Sequence, residues 1–315
     1  MINMNMTDKF DLQLAKIKNL PELPAISMKI IDAINDPDTS INDLATVISV
    51  APVLTARLLG LANLAYFGCP GEITDLRLAI VRVLGLNLVR SLTMGLLLNL
   101  ALDNRKCDQF DSEHFWMNAL LTAILSQQFS LLIHDEAVVP STAYTAGLLL
   151  NIGLMVAVYL NPEESNQILI NARDNDSSVS KEMICLLGKD QYELGGLLLE
   201  HWNLPAIYQT VIKEFKNCTY SDIETIMIDL IRICSALAKV IMSDQHDELP
   251  PLLKQLELFG LSAAVVQNCI DKVIAKKDNI YLAAIAITGN KPLMYTPDKI
   301  RLKMLKTHAK ATIIF

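Results

Sequence analysis

The chain has 315 residues, enough for one large domain or two ordinary ones. It is 52% hydrophobic with 12 glycines and 12 prolines, which excludes the disordered and collagen-like classes and allows a large core. Its net charge of -7 argues against general nucleic-acid binding, which needs a basic footprint, and fits a cytoplasmic protein.

Leu, Ile and Ala dominate and aromatics make up only 6%, a balance that favours helices over strands. The cysteines (Cys69, Cys107, Cys185, Cys218, Cys234, Cys269) are scattered and form no C-x-x-C pair, so they read as free thiols in a reducing compartment. The first ten residues are polar and include Asp8, unlike a signal peptide. The apolar runs 92–102 and 146–160 both contain Asn and fall short of the ~20 residues of a membrane span, so they are expected to be core helices.

Residues 9–17 form a short amphipathic lead. Pro21-Glu22-Leu23-Pro24 is an extended entry, because a residue before proline avoids the helical region. Ile26, Ile30, Ile31 and Ile34 have helical spacing, and Asn35-Asp36-Pro37-Asp38 is a turn. Ser40 and Asp43 resemble a capping box with Asp in place of Glu, opening a helix to Val50. Pro52 suits a first helical turn, and that helix runs through Leu54, Leu58, Leu61 and Ala65 until Phe67–Gly71 breaks it. Thr74 or Asp75 caps the next helix, Gly85 ends it, and Asn87 opens another through Leu102. The polar stretch 103–111 is the best internal boundary.

The second half begins with a long helix over 112–133. Ala146 to Val158 reads as one further helix, too apolar all round to lie on a surface. Its glycines, Gly147 and Gly153, point to close packing, and its single polar residue, Asn151, needs buried partners. Helices over 162–173, 179–187, 191–202, 205–215, 222–242, 252–259, 262–276 and 280–287 complete the body. No alternating strand pattern and no fixed repeat is present, so the fold is expected to be all-α.

Residues 291–315 differ in character. Lys291, Lys299, Arg301, Lys303, Lys306 and Lys310 face one acid, Asp298. The stretch reads either as a docking tail for an acidic partner or nucleic acid or as a solvated terminal helix with Ile313-Ile314-Phe315 folded back. The second is favoured, since a charge run usually serves solubility. Phosphate loops, H-E-x-x-H and G-x-S-x-G are absent. The histidines His114, His134, His201, His246 and His308 form no local metal site.

An ordered set of short motifs resembles the HDOD domain family. It comprises Leu20-Pro21-Glu22-Leu23-Pro24, Asn35-Asp36-Pro37, Pro52-Val53-Leu54-Thr55-Ala56-Arg57-Leu58-Leu59 and Leu61-Ala62-Asn63-Leu64-Ala65-Tyr66-Phe67-Gly68. It continues through Ile73-Thr74-Asp75-Leu76-Arg77-Leu78-Ala79-Ile80, Leu84-Gly85, Phe115-Trp116, Ala146-Gly147-Leu148-Leu149, Ile152-Gly153, Leu187-Gly188 and Trp202-Asn203-Leu204-Pro205. The resemblance implies a multi-helical bundle related to HD-type metal phosphohydrolases, with an N-terminal helical subdomain. It divides the chain into a lead (1–18), an HDOD domain (19–217, in halves 19–107 and 108–217), helices completing the HD-like core (218–290) and a basic tail (291–315).

A working HD phosphohydrolase holds its metal with a His on one helix, an adjacent His-Asp pair on the next, and a later Asp, because imidazole and carboxylate donate lone pairs to the cation. By the resemblance these positions fall at Asn118, at Leu150 and Asn151, and near Ser235. A further His of many relatives falls at Gln191. Leucine cannot bind a metal, and neutral oxygens hold one weakly, so no cofactor and no catalysis are expected. The resemblance implies a non-catalytic bacterial signalling module that binds another protein, with no membrane span. Two alternatives stand beside it. One is a metal-dependent phosphohydrolase acting on a nucleotide or cyclic dinucleotide. The other is a small-ligand sensor using the vacated cavity.

Overall fold

The computed structural model of the protein describes residues 6–20, 22–36, 38–63, 73–243 and 249–289. The described residues form helices and no strand, as the composition and periodicity predict.

The N-terminal helices are α1 (Met6–Lys18), α2 (Ala25–Asn35), α3 (Ile41–Ser49), α4 (Pro52–Ala62), α5 (Leu76–Ala79) and α6 (Leu86–Ala101). Their starts follow local chemistry. Ser40 accepts a hydrogen bond from the Asp43 amide at 3.2 Å, but the Asp43 carboxylate takes the Ser40 hydroxyl rather than its backbone N–H. The reciprocal half of a capping box is therefore missing. Asp75, not Thr74, caps α5 by accepting from the Leu78 amide at 2.8 Å. The end of α5 loosens into a π turn, Ile80–Leu84, and Gly85 follows at φ 78, a left-handed value that only glycine takes freely. The break expected at 67–71 lies outside the described residues.

The remaining helices are α7 (Ser112–Ser130), α8 (Pro140–Leu149), α9 (Ile152–Leu160), α10 (Pro162–Asp174), α11 (Val179–Leu187), α12 (Gln191–His201), α13 (Ala206–Lys213), α14 (Thr225–Ser243), α15 (Leu249–Glu257), α16 (Ala263–Ile274) and α17 (Lys277–Thr288). The single helix expected over 146–158 is corrected here. The chain breaks at Leu150–Asn151 into α8 and α9, with Asn151 at φ -100, ψ 14 as the N-cap of α9. Asparagine competes with the helix ladder and favours caps, so the one polar residue of the run is where it divides. The Asn151 carbonyl still accepts from the Leu154 amide at 2.9 Å.

α7 lies at the centre, packed by α8, α14, α16 and α17. Phe115, Trp116 and Phe129 on it are fully buried. α17 also reaches back to α4 and α6, where the Ile287 side chain fills the space beside Gly95. α1 packs on α11 and α12, and α2 touches α8. A single apolar cluster runs through both halves. The run Pro140–Leu160 is 21 residues long and apolar enough to cross a membrane, yet 89% of its most apolar window is buried inside the protein, as expected of a core segment.

Two glycines test the packing in opposite directions. A Cβ on Gly153 would lie 1.9 Å from the Gln191 carbonyl oxygen and 2.4 Å from the Gly195 amide, both rigid backbone of α12. Gly153→Ala is expected to lose about 3 kcal/mol or to prevent folding. Gly60, in α4, has open space around it: a Cβ there would meet nothing within 4 Å. Gly60→Ala should add roughly 0.5–1 kcal/mol. Urea unfolding of both variants checks the pair.

Candidate functional site

The site is built on one face of α7. Asn118, Thr122 and Ser126 are spaced four residues apart, so they form a single stripe, and all three are buried. Facing them are the α8–α9 junction and α14. α8 comes close because Gly147 has no side chain: a Cβ there would lie 3.0 Å from the Ala123 Cα and 3.1 Å from the Ser126 Oγ. α14 packs on α7 and brings the buried Cys234 to the Ser126 hydroxyl, and its neighbour Ser235 is also buried.

The junction brings Asn151 to Asn118. The Asn151 Nδ2 donates to the Asn118 Oδ1 at 3.4 Å, a long bond inside the core. Leu150, beside it, is fully buried and apolar. Gln191, the first residue of α12, is buried and accepts from the Ser180 hydroxyl at 2.7 Å. The structure thus joins Asn118 and Asn151 directly and gives Gln191 a partner on α11. Lys299, Arg301, Lys303, Lys306 and Lys310 lie outside the described residues.

The stripe is incompletely satisfied. The Asn118 Nδ2 and the Thr122 Oγ1 have no hydrogen-bond partner in the protein. An unpaired buried polar group costs about 1–3 kcal/mol, so this seam is held together by the packing around it. Burial pushes the Cys234 thiol up to about 12, partly offset by the Ser126 hydroxyl. The thiol is therefore neutral and unreactive at ordinary pH.

These groups do not fit a catalytic metal. Asn118, Asn151, Gln191 and Ser235 offer neutral oxygens, and Leu150 offers nothing. Asn118 and Asn151 are also engaged with each other. Among the described residues, no group of three or more His, Cys, Asp or Glu could hold a metal ion. His114 lies at the start of α7, and the His201 Nε2 is paired with the Leu20 carbonyl at 3.0 Å.

Sequence reasoning missed Thr122 and Ser126, although their four-residue spacing from Asn118 was readable. It also missed a buried bond at the start of α7, where the Tyr281 hydroxyl donates to the Glu113 Oε2 at 3.0 Å. No local pattern pairs residues 168 positions apart.

The model of the HDOD domain family matches residues 20–218. A protein of Treponema pallidum (strain Nichols), itself uncharacterised, is 28% identical over 212 residues. The match covers 65% of this chain but only 39% of that relative. An HDOD domain protein of unknown function from Geobacter sulfurreducens superposes with a TM-score of 0.66 at 18% identity, covering 88% of this chain and 98% of that one. A protein of Marinobacter aquaeolei VT8, provisionally named for signal transduction, gives 0.68 at 22%, covering 91% and 68%. A protein of Shewanella amazonensis SB2B, provisionally named a phosphohydrolase, gives 0.64 at 24%, covering 88% and 97%. At these identities the solved structures establish the shared helical fold.

The buried seam yields two measurable expectations. Asn118→Ala and Asn151→Ala should each cost about 1–3 kcal/mol, and the double variant should cost less than their sum, since each single change strands the other amide. Urea unfolding of all four proteins measures the coupling. Cys234 makes stability fall at alkaline pH. Its thiol deprotonates near 9 when unfolded and near 12 when folded. The folded chain therefore keeps a proton that the unfolded chain loses, and the thiol's contribution disappears as pH rises from 9 towards 12. Urea midpoints should drop over that window, less so in Cys234→Ala.

Proposed function

Because the chain belongs to the HDOD domain family, we propose that it is a non-catalytic bacterial signalling module that acts in the cytoplasm by binding another protein. One observation carries this reading: Asn151 hydrogen-bonds Asn118 where the resemblance to HD phosphohydrolases sets metal ligands. A working centre there would need anionic or imidazole donors turned towards a cation. The residues present are turned towards each other, and fully buried Leu150 fills the neighbouring position. What remains is a closely packed helical body, which suits recognition by surface complementarity. The match covers only 39% of the Treponema relative, so the activity and partners of that whole protein are separate questions.

Elemental analysis of the purified chain, with assays of phosphomonoester, nucleotide and cyclic dinucleotide hydrolysis, tests the proposal. The expected result is substoichiometric iron, manganese and magnesium and no turnover above buffer. Stoichiometric metal with hydrolysis would refute it. The binding half of the proposal requires a protein captured from the native cell to rebind when both components are purified.

A further inference from the structure

A small polar cavity lies where the N-terminal helices meet the second half of the chain. Helices α2 and α6 wall it on one side, and α7 and α8 on the other. Its volume is about 10 Å³, room for one occupant of about the size of a water molecule. Two atoms of its lining residues are orphaned. The Tyr144 hydroxyl and the Arg90 Nε are both buried, and neither has a hydrogen-bond partner in the protein. Tyr144 as a whole is only 5% exposed. Buried polar groups are normally paired, so two orphans on one cavity point to a ligand that takes both bonds.

The chemistry of the wall selects its class. Both orphans donate. A guanidinium N–H has no lone pair, and burial pushes the Tyr144 hydroxyl far above the ordinary phenol range, so it keeps its proton. The lining side chains Asn87, Gln127 and Ser141 also carry N–H or O–H groups, and none carries a negative charge. Arg90 supplies a positive charge that is poorly compensated. Its Nη2 donates to the Asp36 carbonyl, a neutral acceptor, at 3.0 Å. The Asp36 carboxylate favours the cation but serves its own turn, accepting from the Asp38 amide at 2.9 Å and the Thr39 hydroxyl at 3.0 Å. Burial outweighs it and lowers the Arg90 pKa. A half-buried cation beside a second donor favours an anion over water, whose own protons would need acceptors.

We propose that this cavity binds one monatomic anion of the halide class, held by the Arg90 Nε–H and the Tyr144 hydroxyl. Size excludes phosphate, sulfate and carboxylates. A halide is slightly wider than water, and the exposed Asn87 can yield to it. The anion joins α6 to α8 and extends a polar seam between the halves. At that seam the Asn35 Oδ1, at the end of α2, accepts from the Thr145 hydroxyl of α8 at 2.8 Å and from the Tyr208 hydroxyl of α13 at 3.2 Å. Binding therefore fastens the N-terminal helices to the second half. The inference stands apart from the non-catalytic reading, since the cavity shares no residue with the Asn118 seam.

The test uses the full chain freed of halide in sodium gluconate, an anion too large for the cavity. Crystals transferred to sodium bromide are expected to show an anomalous bromine peak in contact with the Arg90 Nε and the Tyr144 hydroxyl. In solution, the melting temperature is compared between chloride and gluconate at equal ionic strength. Tyr144→Phe removes only the orphaned hydroxyl, and Arg90→Gln removes the charge while keeping a donor for the Asp36 carbonyl; both carry the same general salt effects as the wild type. The change from gluconate to chloride should be more stabilising in the wild type than in either variant, by at least about 2 °C. Equal changes in the wild type and Tyr144→Phe would overturn the proposal. So would electron density at the site without a bromine signal, which means water, or a bromine peak without the chloride increment, which means an adventitious ion only.

Discussion

The burial of most of α7 governs this molecule. A helix with 15 of its 19 residues buried needs neighbours around most of its circumference, and α8, α14, α16 and α17 supply them. The demand is strictest where α7 is polar. Asn118 and Thr122 cannot reach solvent, so their surroundings must either satisfy them or compensate by packing. Asn151 partly satisfies one, and Gly147 allows α8 to close over the rest. The break between α8 and α9 belongs to the same constraint, because it leaves Asn151 at a helix start with its side chain turned to Asn118.

Most of the fold was legible in the sequence because helices are local. The isoleucine spacing of α2, the proline at the start of α4 and the cap of α5 at Asp75 each report on a few neighbouring residues. The join at Asn151 was harder to read. An asparagine inside an apolar run is compatible with one helix or two, and only its distant partner decides. The site was half legible. Asn118 and Asn151 could be paired through the family resemblance, and the structure brings them into contact. The bond from Tyr281 to Glu113 and the partner of Gln191 depend on tertiary placement that no local pattern encodes.

Ancestry and chemistry separate here. The fold is one shared with a protein provisionally named for hydrolysis and one provisionally named for signalling, so fold alone does not choose between them. The choice rests on side chains, and here those chains are amides and an aliphatic group. An amide pair in a core gives registry between helices more readily than it gives reactivity, because neither oxygen carries the charge that would polarise water.

The extent of the family match and the extent of the physical unit are different things. The match ends at residue 218, yet α14, α16 and α17, which begin after it, all pack on α7, and α1, which ends before it, rests on α12. Along that outer ring the Gln13 and Asn161 amides bond each other in the interior. A boundary drawn by sequence likeness would strip the central helix of three of the four neighbours α8, α14, α16 and α17. What is inherited as a domain and what folds as one are unequal in this chain, and the difference is α1 and the helices from α14 to α17, whose packed faces any excision would turn outward.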